Sequence, residues 1–144
     1  MKKILIPIDG SNYTRKALLQ AKEIAKAFQA DVEIMTVVLD MRGMYYYEGA
    51  YFIGDALAAE DYKTSGEKVI KIGKDVFSDY FAGKVKTTIR LGDAAKEIID
   101  YVENNDFDLI VMGSKGLTGI SKLVVGSVSN KVLNNVEVPV LIVK

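Results

Sequence analysis

Two residue types that carry much of protein chemistry are missing from this chain: its 144 residues include no cysteine and no histidine. Without cysteine there is no disulfide, zinc–thiolate site or thiolate nucleophile. Without histidine the chain lacks the usual general base at neutral pH, the Ser-His-Asp arrangement and the commonest transition-metal ligand. Any chemistry must therefore rest on carboxylates, hydroxyls, lysines and backbone N–H groups.

The chain also lacks net charge and long apolar runs. Its 19 Lys and Arg residues balance 19 Asp and Glu residues and are interspersed with them, so no basic surface that would attract nucleic acid is indicated. No stretch approaches the roughly twenty apolar residues of a membrane span. Residues 1–9 have too short an apolar run, and no small-residue cleavage site, for a signal peptide. We expect a cytoplasmic protein that binds neither nucleic acid nor membrane.

The length and composition are those of an ordinary globular domain, and no linker-like segment or internal repeat interrupts the chain. We therefore expect one domain over residues 1–144. Asp40 to Ser65, which contains the aromatic run Tyr45 to Tyr47, is interpreted as a long loop leading into a helix. Those aromatics are equally typical of a partner surface and of loop packing.

Apolar runs of strand length alternate along the chain with segments of helical periodicity. The first helix is expected at about 14–28, a second from Val69 through Tyr80 to Gly83, a third after Asp93 as its N-cap, and a fourth at about 127–134. The alternating polarity of the third strand is typical of a position near a sheet edge. The expected strands are 4–8, 32–38, 85–89, 109–112 and 138–143.

This alternation predicts a doubly wound α/β fold, with a five-stranded parallel sheet and helices on both faces. In such sheets ligands bind beyond the carboxyl ends of the strands, where the strand order reverses. With the order 3-2-1-4-5, that point lies between the first and fourth strands. The predicted crevice is therefore bordered by Asp9 and Gly113, although an Asp before Gly-Ser is also a common helix cap or Asx-turn residue.

A glycine-rich segment runs from the fourth strand to the last helix. Gly113, Gly116 and Gly126 allow the backbone to turn and to approach a ligand closely, and Gly126 precedes the free N–H groups of a helix start. Those N–H groups, together with the hydroxyls of Ser127 and Ser129, favour an anion such as a polyphosphate. The spacing fits neither the Walker A pattern nor the dinucleotide Gly-x-Gly-x-x-Gly motif.

The spacing Gly-two-Gly-nine-Gly-Ser resembles the ATP-binding motif of the universal stress protein family. The resemblance also covers Lys3 to Ser11, Thr36 to Val38, Arg90 to Asp93 and both C-terminal strands, so that only about 40–68 lacks a counterpart. It implies a Rossmann-like domain of the adenine nucleotide alpha hydrolase type. It also implies that the chain binds ATP, ADP or AMP, with Mg²⁺ or Mn²⁺ held mainly by the phosphates. Because some relatives bind cyclic nucleotides, the resemblance leaves that alternative open.

The resemblance also implies roles for individual residues. The nucleoside pocket would be lined by Pro7, Ile8 and Asp9, with adenine meeting the backbone at Val37. The ribose and phosphates would meet the glycine-rich segment, through Met112, Gly113, Ser114, Gly116, Gly126, Ser127, Val128 and Ser129. No catalytic residue and no protein-only metal site is assigned, because ATP hydrolysis would have no evident base beyond Asp9 and would be slow at most.

Three functions are compared. The first is a nucleotide-dependent regulatory switch in the stress response. The second is a nucleotide-free dimeric interaction module that uses the aromatic loop at 40–66; the retained motif glycines count against it. The third is an adenylating enzyme, which is disfavoured because no Ser-Gly-Gly loop and no histidine signature is present. The protein partner is not indicated by the sequence.

The last strand predicts a homodimer. Residues Val138 to Val143 are apolar on both faces and would form an exposed sheet edge in a monomer. Pairing with a second copy about a two-fold axis would cover that edge. The resemblance to the family implies the same, because its members dimerise through this strand.

Overall fold

The computed structural model describes residues 1–40, 55–116 and 125–144. Strands and helices alternate through these ranges, as the sequence pattern predicts. In chain order they are β1 (Lys3–Ile8), α1 (Asn12–Phe28), β2 (Asp31–Val38), α2 (Asp55–Val76), β3 (Val85–Leu91), α3 (Ala94–Glu103), β4 (Leu109–Gly113), α4 (Ser127–Asn135) and β5 (Val140–Val143).

The five strands form one parallel sheet in the order β3-β2-β1-β4-β5. The predicted fold class and strand order are confirmed. β3 lies at one edge and its residues are at most half-buried, which accounts for its alternating polarity. β5 lies at the other edge, and all four of its residues are half-buried.

The sheet has a hydrophobic core on each face. On one face α1 and α2 pack over Ile4, Ile6 and Ile34, which are fully buried. On the other face α3 and α4 pack over Leu5 and Ile110, which are also fully buried. Because successive strand residues point to opposite faces, β1 supplies both cores from a single apolar run.

Several boundaries differ from the predictions, and the largest differences concern α2. α2 begins at Asp55, within the segment that was interpreted as loop, and residues 41–54 with the tyrosine run lie outside the described residues. Four good helix formers, 56–59, follow Asp55, but the glycines and tyrosines before them dominated the prediction. α2 also ends at Val76 rather than near Gly83; Tyr80 lies in the next turn, where its hydroxyl donates to the carbonyls of Ala25 and Ala30.

β5 is shorter than the predicted strand because Pro139, which has no N–H group, immediately precedes it. The carbonyl of Pro139 accepts from the N–H of Ile110, so ladder contact with β4 begins there. Val138 lies in the bend before the strand.

β1 and β4 separate toward their carboxyl ends. β1 pairs with β2 as far as Ile8 with Thr36, whereas its pairs with β4 are Ile4 with Leu109 and Leu5 with Ile110. The carbonyl of Lys3 faces β4, where it accepts from the Asp108 N–H, and alternation along the strand places Pro7 on the same side. Since proline has no N–H to donate, the ladder does not continue at Pro7, and a crevice opens at the predicted switch point.

A glycine inside α2 allows the helix to lie close to the sheet. A Cβ added at Gly73 would lie 2.8 and 2.9 Å from two side-chain carbons of the buried Ile34. We expect Gly73→Ala to lower the free energy of unfolding by about 1 kcal/mol, because overpacking costs about 1–3 kcal/mol and exceeds the gain in helix propensity. Urea denaturation measures this, with the exposed Ser65→Ala in the same helix as the control for propensity. Equal or greater stability for Gly73→Ala would contradict this packing.

Candidate functional site

The carboxylate of Asp9 is fixed by the turn that joins β1 to α1. Its Oδ1 accepts from the N–H of Ser11 at 3.0 Å and from the hydroxyl of Thr14 at 2.7 Å. Gly10 adopts a φ of +81°, which suits glycine in this turn. Ser11, not Asp9, is the N-cap of α1, because its hydroxyl accepts from the Thr14 N–H. Asp9 is therefore the Asx-turn residue, and these contacts are all made by Oδ1.

Asp9 Oδ2 faces the beginning of the glycine-rich segment. A Cβ added at Gly116 would lie 2.7 Å from this oxygen. A larger residue at position 116 would therefore force the carboxylate of Asp9 to move. The end of β1 and the segment after β4, which are distant in sequence, thus meet at the crevice.

Gly113 and Ser114, at the end of β4, are packed against α1, α4 and β5. A Cβ added at Gly113 would lie 2.8 Å from the Cβ of Tyr13. The Gly113 carbonyl accepts from the hydroxyl of Ser129 at 2.8 Å, and the N–H of the buried Ser114 donates to the carbonyl of Val143 at 2.7 Å. The start of the segment is therefore tied to neighbouring elements on three sides.

α4 begins beside this junction. Gly126 is its N-cap, with no side-chain cap hydrogen bond, and its own N–H donates to the Ser114 carbonyl at 2.6 Å. The first intrahelical bond is that of the Asn130 N–H to the Gly126 carbonyl. The N–H groups of Ser127, Val128 and Ser129 belong to the turn that a helix leaves without internal acceptors. Ser127, the first residue of the helix, is exposed.

The remaining predicted residues lie on the same edge of the sheet. Pro7 and Ile8 end β1, Val37 lies one residue before the end of β2, and Met112 lies in β4. Met112 is buried in the core under α3 and α4, and Val37 and Val128 pack against that core. The structure thus places all twelve predicted residues at the carboxyl ends of β1, β2 and β4 or at the start of α4. β1 lies between β2, which carries Val37, and β4, which leads into the glycine-rich segment.

Two threonines that sequence reasoning missed hold this edge together. The Thr14 hydroxyl contacts both the backbone and the side chain of Asp9. The buried hydroxyl of Thr36 donates to the carbonyl of Ile8 at 2.9 Å, which joins the ends of β1 and β2. The sequence could have indicated the role of Thr14, because this residue lies three positions after the N-cap Ser11. A side chain at that position can turn back toward the end of the preceding strand.

The arrangement combines two complementary groups at one crevice. The helix start supplies N–H donors and the positive end of a helix dipole, which favour an anion. Asp9 supplies an acceptor that binds hydroxyl or amino donors. The motif glycines are also needed for packing, and not only for closeness to a ligand. A Cβ added at any of the three would lie within about 3.3 Å of another protein atom: Gly113, Gly116 and Gly126. Their retention reflects packing as well as any ligand.

A cavity of about 370 Å³ lies elsewhere, between α2 and β3, and is lined by residues such as Tyr62, Glu67 and Thr87. None of the predicted site residues lines it. It lies over the β3 edge of the sheet, whereas the crevice lies between β1 and β4. We therefore assign the candidate site to the crevice.

A buried carboxylate lies below the crevice, under α3. Glu33 of β2 accepts hydrogen bonds from the hydroxyls of Tyr101 and Thr88 and lies 3.2 Å from the ammonium of Lys3. Burial by itself raises the pKa of Glu33, but these three partners outweigh it and hold the pKa below the ordinary value of 4.5. Burial and the bond to Glu33 raise the pKa of Tyr101. This cluster is structural, and it was missed because Glu33 stands in an otherwise apolar strand.

Within the described ranges, no group of three or more acidic side chains is arranged to hold a metal ion. No described helix is long and apolar enough to cross a bilayer.

The chain is similar to known proteins over its whole length. A model of the universal stress protein family matches residues 1–144. The universal stress protein MJ0531 of Methanocaldococcus jannaschii is 36% identical, over 99% of this chain and 82% of its own. The solved structure of protein MJ0577 is 30% identical, with a TM-score of 0.76, over 99% of this chain and 95% of that one. A universal stress protein solved in complex with cAMP is 26% identical, with a TM-score of 0.68, over 99% of this chain and 97% of that one.

Proposed function

We propose that this chain, which belongs to the universal stress protein family, binds ATP or a related adenine nucleotide in the crevice between β1 and β4 and acts as a nucleotide-dependent switch in the stress response. The observation that carries the proposal is the meeting of the Asp9 carboxylate with the glycine-rich segment and the start of α4, at the point where β1 and β4 separate. The relative that was solved with cAMP supports an adenine nucleotide as the class of ligand.

The phosphates fit the start of α4. The N–H groups of Ser127, Val128 and Ser129 and the helix dipole attract negative charge, and no acidic residue occupies the first turn of the helix. The absence of a side-chain cap at Gly126 leaves the place of a capping oxygen to a phosphate oxygen. Gly113, Ser114 and Gly116 bring the segment before α4 alongside.

The nucleoside fits the side of the crevice formed by β1 and β2. A carboxylate repels phosphate but accepts hydrogen bonds from hydroxyl and amino groups, so Asp9 suits the ribose or adenine. Val37, which is half-buried, supplies apolar surface for the base. The side chains of Pro7, Ile8 and Met112 are buried, so these residues meet the nucleoside through their backbone groups at the strand ends.

Any Mg²⁺ or Mn²⁺ would be held mainly by the phosphates, because the described residues offer no cluster of acidic ligands. ATP hydrolysis requires an oriented water and charge neutralisation. The Oδ1 of Asp9 is already engaged by Ser11 and Thr14, which makes this carboxylate a poor general base. Turnover is therefore slow at most, and the bound nucleotide acts as a signal rather than as a substrate.

The switch would work through the contacts that close the segment onto α4. The bond between the Gly126 N–H and the Ser114 carbonyl fixes the start of the helix relative to β4. A nucleotide that binds this arrangement more tightly than an opened one shifts the population toward it, and a protein partner in the cytoplasm reads the difference.

The test is to purify the protein without added nucleotide, denature it and identify the released small molecules by mass spectrometry. We expect ATP or ADP at close to one per chain, or, where none is retained, saturable binding of added Mg-ATP by calorimetry. If the protein neither retained a nucleotide nor bound Mg-ATP, ADP, AMP or cAMP, the proposal would be overturned and the nucleotide-free interaction module would be favoured.

We also propose that the protein is a homodimer that pairs through β5. Pro139 and Val143 direct their carbonyls toward β4, so alternation directs the backbone groups of Val140 and Ile142 outward along the sheet edge. This edge carries only apolar residues and no protective charge before Lys144.

Substitution of Ile142 tests this pairing. We expect Ile142→Pro, which removes an outward N–H, to give a monomer in sedimentation velocity, whereas Ile142→Ala, which loses side-chain packing but keeps the N–H, remains a dimer. A dimeric Ile142→Pro protein would show that the subunits pair elsewhere.

A further inference from the structure

We infer that Thr14 is the positioning residue for Asp9, and that its hydroxyl sets the direction in which Asp9 meets the nucleoside; this inference rests on the proposed function. The Thr14 hydroxyl accepts from the backbone N–H of Asp9 at 3.1 Å and donates to Asp9 Oδ1 at 2.7 Å. One hydroxyl thus holds both ends of the same residue. The Thr14 side chain is 3% exposed, so water does not replace it readily.

The two bonds restrict the rotation of the Asp9 side chain. Oδ1 accepts from Thr14 and from the Ser11 N–H, which fixes the plane of the carboxylate and turns Oδ2 toward Gly116. If the carboxylate rotated, Oδ1 would lose a charge-assisted hydrogen bond, which is among the stronger kinds. The acceptor is therefore already oriented before a ligand arrives, and binding does not have to order it.

A β-branched hydroxyl residue on the first turn of α1 suits this task. The methyl group of Thr14 limits its own rotamers, so the hydroxyl is held toward the end of β1 by the rigid start of the helix. Ser11 caps the same turn through the Thr14 N–H. The position of Asp9 is consequently set by α1 rather than by the glycine-rich segment.

The inference is tested by measuring the dissociation constant for Mg-ATP by calorimetry for Thr14→Val, Thr14→Ser and Asp9→Ala, and for the double variant Asp9→Ala/Thr14→Val. We expect Thr14→Val to weaken binding about tenfold. Thr14→Ser keeps the hydroxyl but loses the methyl group that limits its rotation, so it should weaken binding by no more than about twofold. In the Asp9→Ala background we expect Thr14→Val to have no further effect, because Thr14 acts through Asp9. Thr14→Ala replaces Thr14→Val, with the same expectation, if the valine variant does not fold.

A variant far from the site controls for loss of stability. Tyr80→Phe removes the two hydrogen bonds of a buried hydroxyl at the opposite end of the sheet, so it should lower thermal stability without changing the dissociation constant. If Thr14→Val bound as tightly as the wild type, or if its tenfold loss persisted in the Asp9→Ala background, the positioning role of Thr14 would be overturned. The proposed function would not be affected by either result. Failure of the wild type to bind any adenine nucleotide would instead overturn the proposed function.

Discussion

Ser127→Asp is expected to weaken Mg-ATP binding at least tenfold while leaving α4 as stable as before or slightly more so. Ser127 is exposed at the first position of the helix, where an aspartate favours the dipole by about 0.3–1 kcal/mol. The same carboxylate would stand beside the phosphates, and two like charges 4 Å apart repel by about 1 kcal/mol in water and by about 4 kcal/mol near a protein surface. Stability and affinity therefore change in opposite directions.

Calorimetry and thermal unfolding of the same samples measure the two effects, with Ser127→Ala as the matched control. The alanine variant loses one hydroxyl donor but adds no charge, so its affinity should fall by only a few-fold. Ser127 is a better target than Gly116, because a side chain at Gly116 would displace the Asp9 carboxylate and so change both sides of the crevice at once. If Ser127→Asp bound Mg-ATP as tightly as Ser127→Ala, the phosphates would not lie at the start of α4.

Glu33→Ala is expected to cost about 2–3 kcal/mol of unfolding free energy at pH 7, the largest loss among the stability variants considered. The substitution removes the acceptor for the hydroxyls of Tyr101 and Thr88 and the partner of Lys3. Removing one member of a buried ion pair costs about 3–5 kcal/mol, and the partial exposure of Lys3 reduces that cost. Urea denaturation gives the value, and Tyr101→Phe, which removes the bond to Glu33 and a 3.5 Å contact with the hydroxyl of Thr88, should lose about 1 kcal/mol.

The Glu33 cluster also predicts a pH dependence. Because the pKa of Glu33 is lower in the folded chain than its ordinary value of 4.5, the unfolded chain binds more protons in that range. The stabilisation is complete above about pH 4.5 and declines as the pH falls through the lower pKa of the folded state. Stability measured from pH 7 to pH 3 should therefore fall less for Glu33→Gln than for the wild type. Parallel profiles would show that Glu33 does not titrate differently on folding.

Much of the fold followed from periodicity, for reasons that the structure makes plain. The apolar runs of β1 and β4 are buried on both faces, so their sequence alone indicates central parallel strands. The cap at Asp93 also followed, since its side chain accepts from the Lys96 N–H as a helix cap should. The start of α2 did not, because the glycines and tyrosines before Asp55 concealed the helix formers that follow it.

The location of the candidate site follows from the sequence, but the contacts within it do not. Strand ends and the reversal of strand order placed Asp9 and Gly113 at one crevice, which needs only topology. The contact of Asp9 with Gly116, and that of Gly113 with Tyr13, depend on tertiary packing that no local pattern encodes. For the same reason Thr14 was missed, because its importance lies in the direction of one hydroxyl.

The central position of β1 has a consequence for how the chain is made. β1 is synthesised well before β4, yet β4 is one of its two neighbours, and Ile4 pairs with Leu109. During synthesis on the ribosome, the edge of β1 that faces β4 therefore has no strand to pair with until residues 109–113 have emerged. Such late, non-local pairing slows folding and exposes strand edges to aggregation.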